Sequence, residues 1–144
     1  MTPEFIEAEP EQAILNVLHA YAWSYDSNDM EQLASVFSED GMTVGVVAGA
    51  DFGWGPWQGA REIASQLGVI RNSQTDRRRH QITTPVFLKL TDSEAVVKVY
   101  LSIFSTEAGG RPRLATTGQY VATLSKSVGR WTIDRLEAQL DGAF

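Results

Sequence analysis

Residues 79–90 read Arg79-His80-Gln81-Ile82-Thr83-Thr84-Pro85-Val86-Phe87-Leu88-Lys89-Leu90, and their alternation decides the fold. His80, Ile82, Thr84, Val86, Leu88 and Leu90 share one parity, while Arg79, Gln81, Thr83 and Lys89 take the other. That is the period of a strand whose successive side chains point to opposite faces, so His80 is expected on the apolar face. The same period returns over residues 95–105, 113–125 and 130–140, with connections at Thr91-Asp92-Ser93, Gly109-Gly110 and Val128-Gly129. Four long antiparallel strands are expected.

Upstream the period changes. Ile14, Leu15, Leu18, Tyr21, Ala22 and Tyr25 recur at three-and-four spacing, which predicts an amphipathic helix over 10–26. Steps of about 100° put Asp26 about 20° from Leu15, at the edge of the buried stripe and at the helix end. Asn28 followed by Glu31 reads as an N-cap with its capping-box partner, opening a second helix through Leu33, Val36 and Phe37. A short β stretch is expected over 42–47. Residues 49–59 hold Gly49, Gly53, Gly55, Gly59, Pro56, Trp54 and Trp57, and this composition predicts an irregular loop able to lay aromatic area over a cavity as a lid. Residues 60–67, with Ile63, Leu67 and Ile70 inward, form a third helix ending near Asn72-Ser73-Gln74-Thr75.

Helices first, then a strand, a helix and a meander of long strands describe a single α+β domain over residues 1–144. Its curved sheet wraps around three helices of the N-terminal half and curls into a cone with an open mouth, a natural place for a small molecule. No repeat, linker or low-complexity segment interrupts it.

Composition narrows the chemistry. The 144 residues include no cysteine and two histidines, which excludes disulfides, thiolate nucleophiles and sulfur-ligated metals. With His19 and His80 far apart in the chain, no metal and no cofactor are expected. A net charge of −6 argues against a nucleic-acid partner. The run Arg77-Arg78-Arg79 is the exception, and a solvated loop leading into a strand is preferred here to an anion site. Met1-Thr2-Pro3-Glu4-Phe5 lacks a basic start and apolar core, and no run approaches the ~18 apolar residues of a spanning helix. A cytoplasmic protein without a membrane partner is expected.

An inward carboxylate at the end of the first helix and a histidine on a buried strand face form a candidate acid/base pair. Asp26 would fix the tautomer of His80 and raise its basicity. The alternative is a core histidine bonded to a backbone carbonyl, with Asp26 capping a turn. Tyr21 and Tyr25 lie on the same inner stripe, where either hydroxyl could serve as an acid or an oxyanion donor, or simply end a packed ring at the rim. Trp54 and Trp57 either shape a flat apolar ligand or anchor their loop. Ser102, Thr117 and Tyr120 are candidate pocket polars, and His19 is expected at the surface. No nucleophile elbow or phosphate-binding glycine loop is present, and Gly53-Trp54-Gly55 lacks the third glycine of a dinucleotide fingerprint.

The chain resembles the SnoaL-like branch of the nuclear transport factor 2-like superfamily over nearly its whole length. The resemblance is carried by Tyr21 and Asp26, Leu33-Ala34-Ser35-Val36-Phe37-Ser38-Glu39-Asp40-Gly41, Gly59 with Ile63, His80-Gln81-Ile82-Thr83, and Gly118-Gln119-Tyr120 leading to Gly129-Arg130-Trp131. Within it, Tyr25, Asp26 and His80 match the Tyr-Asp pair and first strand histidine of the scytalone dehydratases. Tyr21, Asp26 and His80 match the tyrosine, aspartate and histidine of the bile acid 7α-dehydratases. Hexachlorocyclohexane dehydrochlorinases share the Asp–His pair but carry a lysine in place of Tyr21. Where scytalone dehydratases have a second histidine and a serine, this chain has Ser105-Thr106 and Thr117-Gly118, a departure that disfavours scytalone itself.

The resemblance implies a twisted α+β cone, commonly a homodimer or higher homo-oligomer through its sheet, without cofactor. It implies a lyase of the dehydratase type acting on a cyclic, largely apolar small molecule with an Asp–His general base. The alternatives it leaves open are a non-catalytic module such as the β subunit of a ring-hydroxylating dioxygenase, and a polyketide cyclase or isomerase using the same pair.

Overall fold

In a computed structural model, residues 9–144 are described, so the reading of Met1 to Phe5 lies outside them. The elements run α1 (Pro10–Asp26), α2 (Met30–Ser35), β1 (Phe37–Val47), β2 (Gly53–Gln58), α3 (Ala60–Ser73), β3 (Arg77–Leu90), β4 (Glu94–Thr106), β5 (Arg113–Ser127) and β6 (Arg130–Leu140). The six strands form one curved, unclosed sheet in the order β2-β1-β6-β5-β4-β3. β1 and β6 are parallel, and every other neighbouring pair is antiparallel. The expected α+β architecture, three helices against a wrapped sheet, is the observed one. No helix among the described residues is long and apolar enough to cross a membrane.

Alternation builds the inner face. Along β4 it buries Ala95, Val97, Val99, Leu101, Ile103 and Ser105, and along β5 it buries Thr116, Gly118, Tyr120, Ala122 and Leu124. Ile14 and Leu18 of α1, Leu33 of α2 and Ile63 of α3 meet this face and are wholly enclosed. Truncating any of these four to alanine is expected to cost ~2–5 kcal/mol, the range for a cavity left in a close-packed core. Pro10 opens α1 at its first turn, where its missing N–H is an orphan in any case.

Three local expectations are corrected. The cap of α2 is Asp29, whose carboxylate accepts from the Gln32 N–H at 3.0 Å. Asn28 instead takes a left-handed turn (φ 58) and donates to Asn72 Oδ1 at 3.0 Å. Asparagine adopts that conformation more readily than most residues, which frees the next carboxylate to cap. The helix also ends sooner, at Ser35, and Phe37 begins β1, because the Ile133 N–H bonds to Val36 O at 2.8 Å and draws the chain into the sheet.

Residues 53–58, expected as loop, form the edge strand β2. Edge position explains how Pro56 and two glycines are tolerated: a strand paired on one side alone has N–H groups it need not satisfy in a ladder. Gly45 lies opposite Trp54, and a Cβ there would overlap the indole.

The third correction concerns β3. Arg78, His80 and Ile82 turn inward as alternation requires, but Thr84 adopts φ 57 and an extra residue enters β3 between Thr83 and Val86. This bulge reverses the parity. Phe87 turns inward, whereas Val86 and Leu88 point outward.

Candidate active site

Asp26 and His80 meet where the end of α1 crosses β3. The His80 Nδ1–H donates to Asp26 Oδ1 at 2.6 Å, and the His80 backbone N–H donates to Asp26 Oδ2 at 2.8 Å. An ionised carboxylate only accepts, so this pairing puts the ring proton on Nδ1 and leaves the Nε2 lone pair free. Both side chains are nine-tenths buried. Arg71 of α3 fixes the helix end: its Nε and Nη2 donate to the Tyr25 and Asp26 carbonyls, each at 3.1 Å. The Tyr25 carbonyl also accepts from the Asn28 N–H at 3.0 Å, and the guanidinium spans both carbonyls of the helix end.

His80 lines a narrow cavity of about 40 Å³ between α1, α3 and the inner sheet face. Asp26 does not line it and stands behind the imidazole. Tyr21, Tyr25, Tyr120, Gln74 and Arg78 supply the polar lining, and Leu67, Leu101, Ile103, Trp54 and Phe144 are among its apolar walls. A wider groove between α2 and α3 shares no residue with this cavity. Among the described residues no group of three or more His, Asp or Glu side chains is arranged to hold a metal ion.

The tyrosines are held protonated. Burial pushes the Tyr25 hydroxyl up to about 12, against the opposing pull of the Arg78 and Arg71 charges. Burial raises Tyr21 and Tyr120 further, and their hydroxyls interact with each other. Both therefore serve as hydrogen-bond donors and not as bases at neutral pH. Tyr25 Oη donates to Gln74 Oε1 at 2.9 Å, and its ring sits edge-on to the imidazole at 5.0 Å between centroids. Tyr21 and Tyr120 pack edge to face at 6.0 Å.

Other candidates separate. Trp54 lines the cavity and Trp57 does not, although a bulge in β2 lets both rings pack against the core, Trp54 opposite Gly45 and Trp57 opposite Thr43. Ser102 and Thr117 lie on the outward parity of β4 and β5 and are absent from the lining; Thr117 Oγ1 donates to Asp141 Oδ2 at 2.6 Å. His19 is half-buried, not at the open surface.

Arg78 is the residue that sequence reasoning misplaced. Expected in a solvated loop, it is 8% exposed and points into the cavity wall. Its Nε donates to Asp76 Oδ2 at 3.0 Å, and the same carboxylate oxygen accepts a short bond from Ser105 Oγ. Burial alone would raise the Asp76 carboxyl, but the bonds from Ser105, its own backbone N–H and Arg78 outweigh this and hold it below the ordinary carboxylate range. Parity carried the missing signal: Arg78 is two residues before His80, so an inward His80 requires an inward Arg78.

Solved structures share this fold. The β subunit of a provisionally named aromatic-ring-hydroxylating dioxygenase from Novosphingobium aromaticivorans superposes with a TM-score of 0.77 at 19% identity, covering 92% of this chain and 90% of its own. A protein of unknown function with a cystatin-like fold from Nostoc punctiforme gives 0.78 at 18% identity, covering 94% and 96%. A provisionally named scytalone dehydratase, also from N. aromaticivorans, gives 0.73 at 21% identity, covering 93% and 85%. No curated protein sequence matches the chain. Residues 7–137 match the SnoaL-like domain family, and the chain belongs to that family.

Proposed function

We propose that the protein is a cofactor-independent lyase that eliminates water or a similar group from a cyclic, largely apolar small molecule. The observation that carries this reading is the Asp26–His80 pair, with Nδ1 held by the carboxylate and the imidazole facing the cavity. In this mechanism His80 Nε2 takes a proton from a carbon beside an activating group, and Asp26 stabilises the imidazolium that forms. Tyr25 or Tyr21, kept protonated by burial, donates to the developing oxyanion or the departing hydroxyl. Polyketide cyclisation or isomerisation begins with the same proton transfer and differs in the fate of the resulting carbanion.

A panel of cyclic β-hydroxyketones, followed by the ultraviolet absorbance of the enone product, tests the reading. Turnover that depends on both His80 and Asp26 supports it. Turnover indifferent to His80→Ala and Asp26→Asn makes the pair structural. The fold shared with a dioxygenase β subunit favours the binding-module reading in that event, and co-purification with a large oxygenase subunit would be its sign.

A further inference from the structure

We propose that Arg78 is a substrate-binding residue, its Nη1 donating to a carbonyl oxygen of the same molecule whose carbon-bound proton faces His80. This rests on the reading of His80 as the base, and it narrows the substrate to cyclic ketones or their close oxygen-bearing relatives.

The guanidinium is buried in the cavity wall with its Nε satisfied by Asp76. Its Nη1 is the one fully buried side-chain nitrogen or oxygen among the described residues without a hydrogen-bond partner. A buried donor left unpaired is destabilising, so its presence in a cavity wall points to an acceptor that arrives with the ligand. Asp76 already balances the Arg78 charge, so the acceptor need not be an anion: a neutral carbonyl is sufficient. The Phe144 ring lies 5.7 Å from Arg78 Cζ and packs edge-on against Trp54, so the ligand oxygen reaches Nη1 by displacing this ring.

Spacing supports one ligand for both groups. Arg78 and His80 point to the same face two residues apart, about 6.6 Å along the strand. A carbon acid and its carbonyl oxygen fit between them, one at Nε2 and the other at Nη1. Nε2 takes the proton, the C–H electron pair forms the C=C bond, and the carbonyl π pair moves to oxygen as an enolate held by the Nη1–H. When the enolate oxygen pair reforms C=O, the enolate C=C pair shifts to form the Cα=Cβ bond and the Cβ–O bond breaks, its pair leaving with the hydroxyl oxygen. The leaving oxygen takes the imidazolium proton and departs as water, returning His80 to its neutral form.

1-Tetralone and tetralin share ring system and size and differ in the carbonyl. Tryptophan fluorescence titration gives the affinity of each without turnover. The wild-type protein is expected to prefer the ketone on the order of ten- to a hundredfold, the worth of a hydrogen bond from a charged donor. Arg78→Met should bring the ratio to about one, since its side chain has length but no donor. Arg78→Lys keeps the charge beside Asp76, guards against misfolding, and should also lose most of the preference because one ammonium replaces a fork. His80→Ala should keep it. A wild-type ratio near one, a ratio that survives both Arg78 variants, or its loss in His80→Ala would each overturn the proposal. Unchanged turnover in His80→Ala would instead overturn the base assignment while leaving this ratio intact, so the two failures are distinguishable.

Discussion

The two halves of β3 follow one alternation in sequence and meet opposite environments. Before Thr84, the inward positions hold Arg78 and His80, both strongly polar and both enclosed. After it, Val86 and Leu88 stand 46% and 57% exposed. Hydropathy would assign these the other way round. The difference lies in partners. The first half faces the end of α1 and the turn at Asp76, which supply a carboxylate for each polar group. In the second half an extra residue between Thr83 and Val86 reverses the parity and Phe87 takes the interior position, before a second extra residue enters between Phe87 and Lys89. Burial in this strand follows the supply of hydrogen-bond partners and the backbone's phase.

The largest effect expected is on chemistry in the first half. On a substrate that turns over, His80→Ala should lower turnover on the order of 10²–10⁴, the range for removing a general base. Asp26→Asn keeps the size of the side chain and loses the charge, so it should fall in the same range. Because the two act as one unit, the double variant should be scarcely worse than the worse single one. Additive losses would break the pair into two independent residues.

Next comes the ion pair beneath it. Asp76 and Arg78 are enclosed, with side-chain exposures of 7% and 9%. Asp76→Ala leaves a buried guanidinium unpaired and should cost ~3–5 kcal/mol by denaturant titration. Because the folded carboxyl lies below its ordinary value, its contribution is fully present above about pH 3.9 and is lost as pH falls through the lower folded value. Asp76→Asn should therefore be less stable at neutral pH and show a flatter acid limb. A stability-neutral Asp76→Ala would mean that Arg78 leaves the interior easily.

Smaller effects belong to the second half. Thr84 is β-branched and holds φ 57, a conformation glycine adopts freely. Thr84→Gly should be neutral or stabilise by up to ~1 kcal/mol, the relief being partly offset by the unfolded chain's gain in entropy. Leu88→Ser should change stability by no more than ~0.5 kcal/mol, as expected for an exposed position. A much larger loss at Leu88 would show that another surface covers this half of the strand in solution.

The fold was legible because two periods carried it. Three-and-four spacing marked α1 and α3, and parity marked β3 to β6 with ends within a few residues. Asp26 and His80 came from the same patterns, one at a stripe edge and the other on a buried parity. Parity applied consistently gives Arg78 as well, but a charge within a run of three arginines argues for solvent more strongly than its position argues for the interior. The partners that make its burial tolerable were beyond local pattern: Asp76 meets Ser105 from 29 residues away. Pattern also failed at β2, whose glycines and Pro56 read as irregular because an edge strand needs only one paired side. The parity reversal at Thr84 left no trace, since a threonine inside a β-rich run gives no sign of a left-handed backbone.

The position of β6 has a kinetic consequence. It is the last strand of the chain and lies between β1, from the first third, and β5. The hairpin β1–β2 and the meander β3–β4–β5 can each form from neighbouring segments, yet they become one sheet only when β6 pairs in parallel with β1. Closing so long a loop is entropically expensive and slows folding. Pulse-labelling hydrogen exchange should find amides of β3 to β5 protected first and those amides of β1 and β6 that bond each other together and later. Simultaneous protection of all strands would show that the two parts never exist apart.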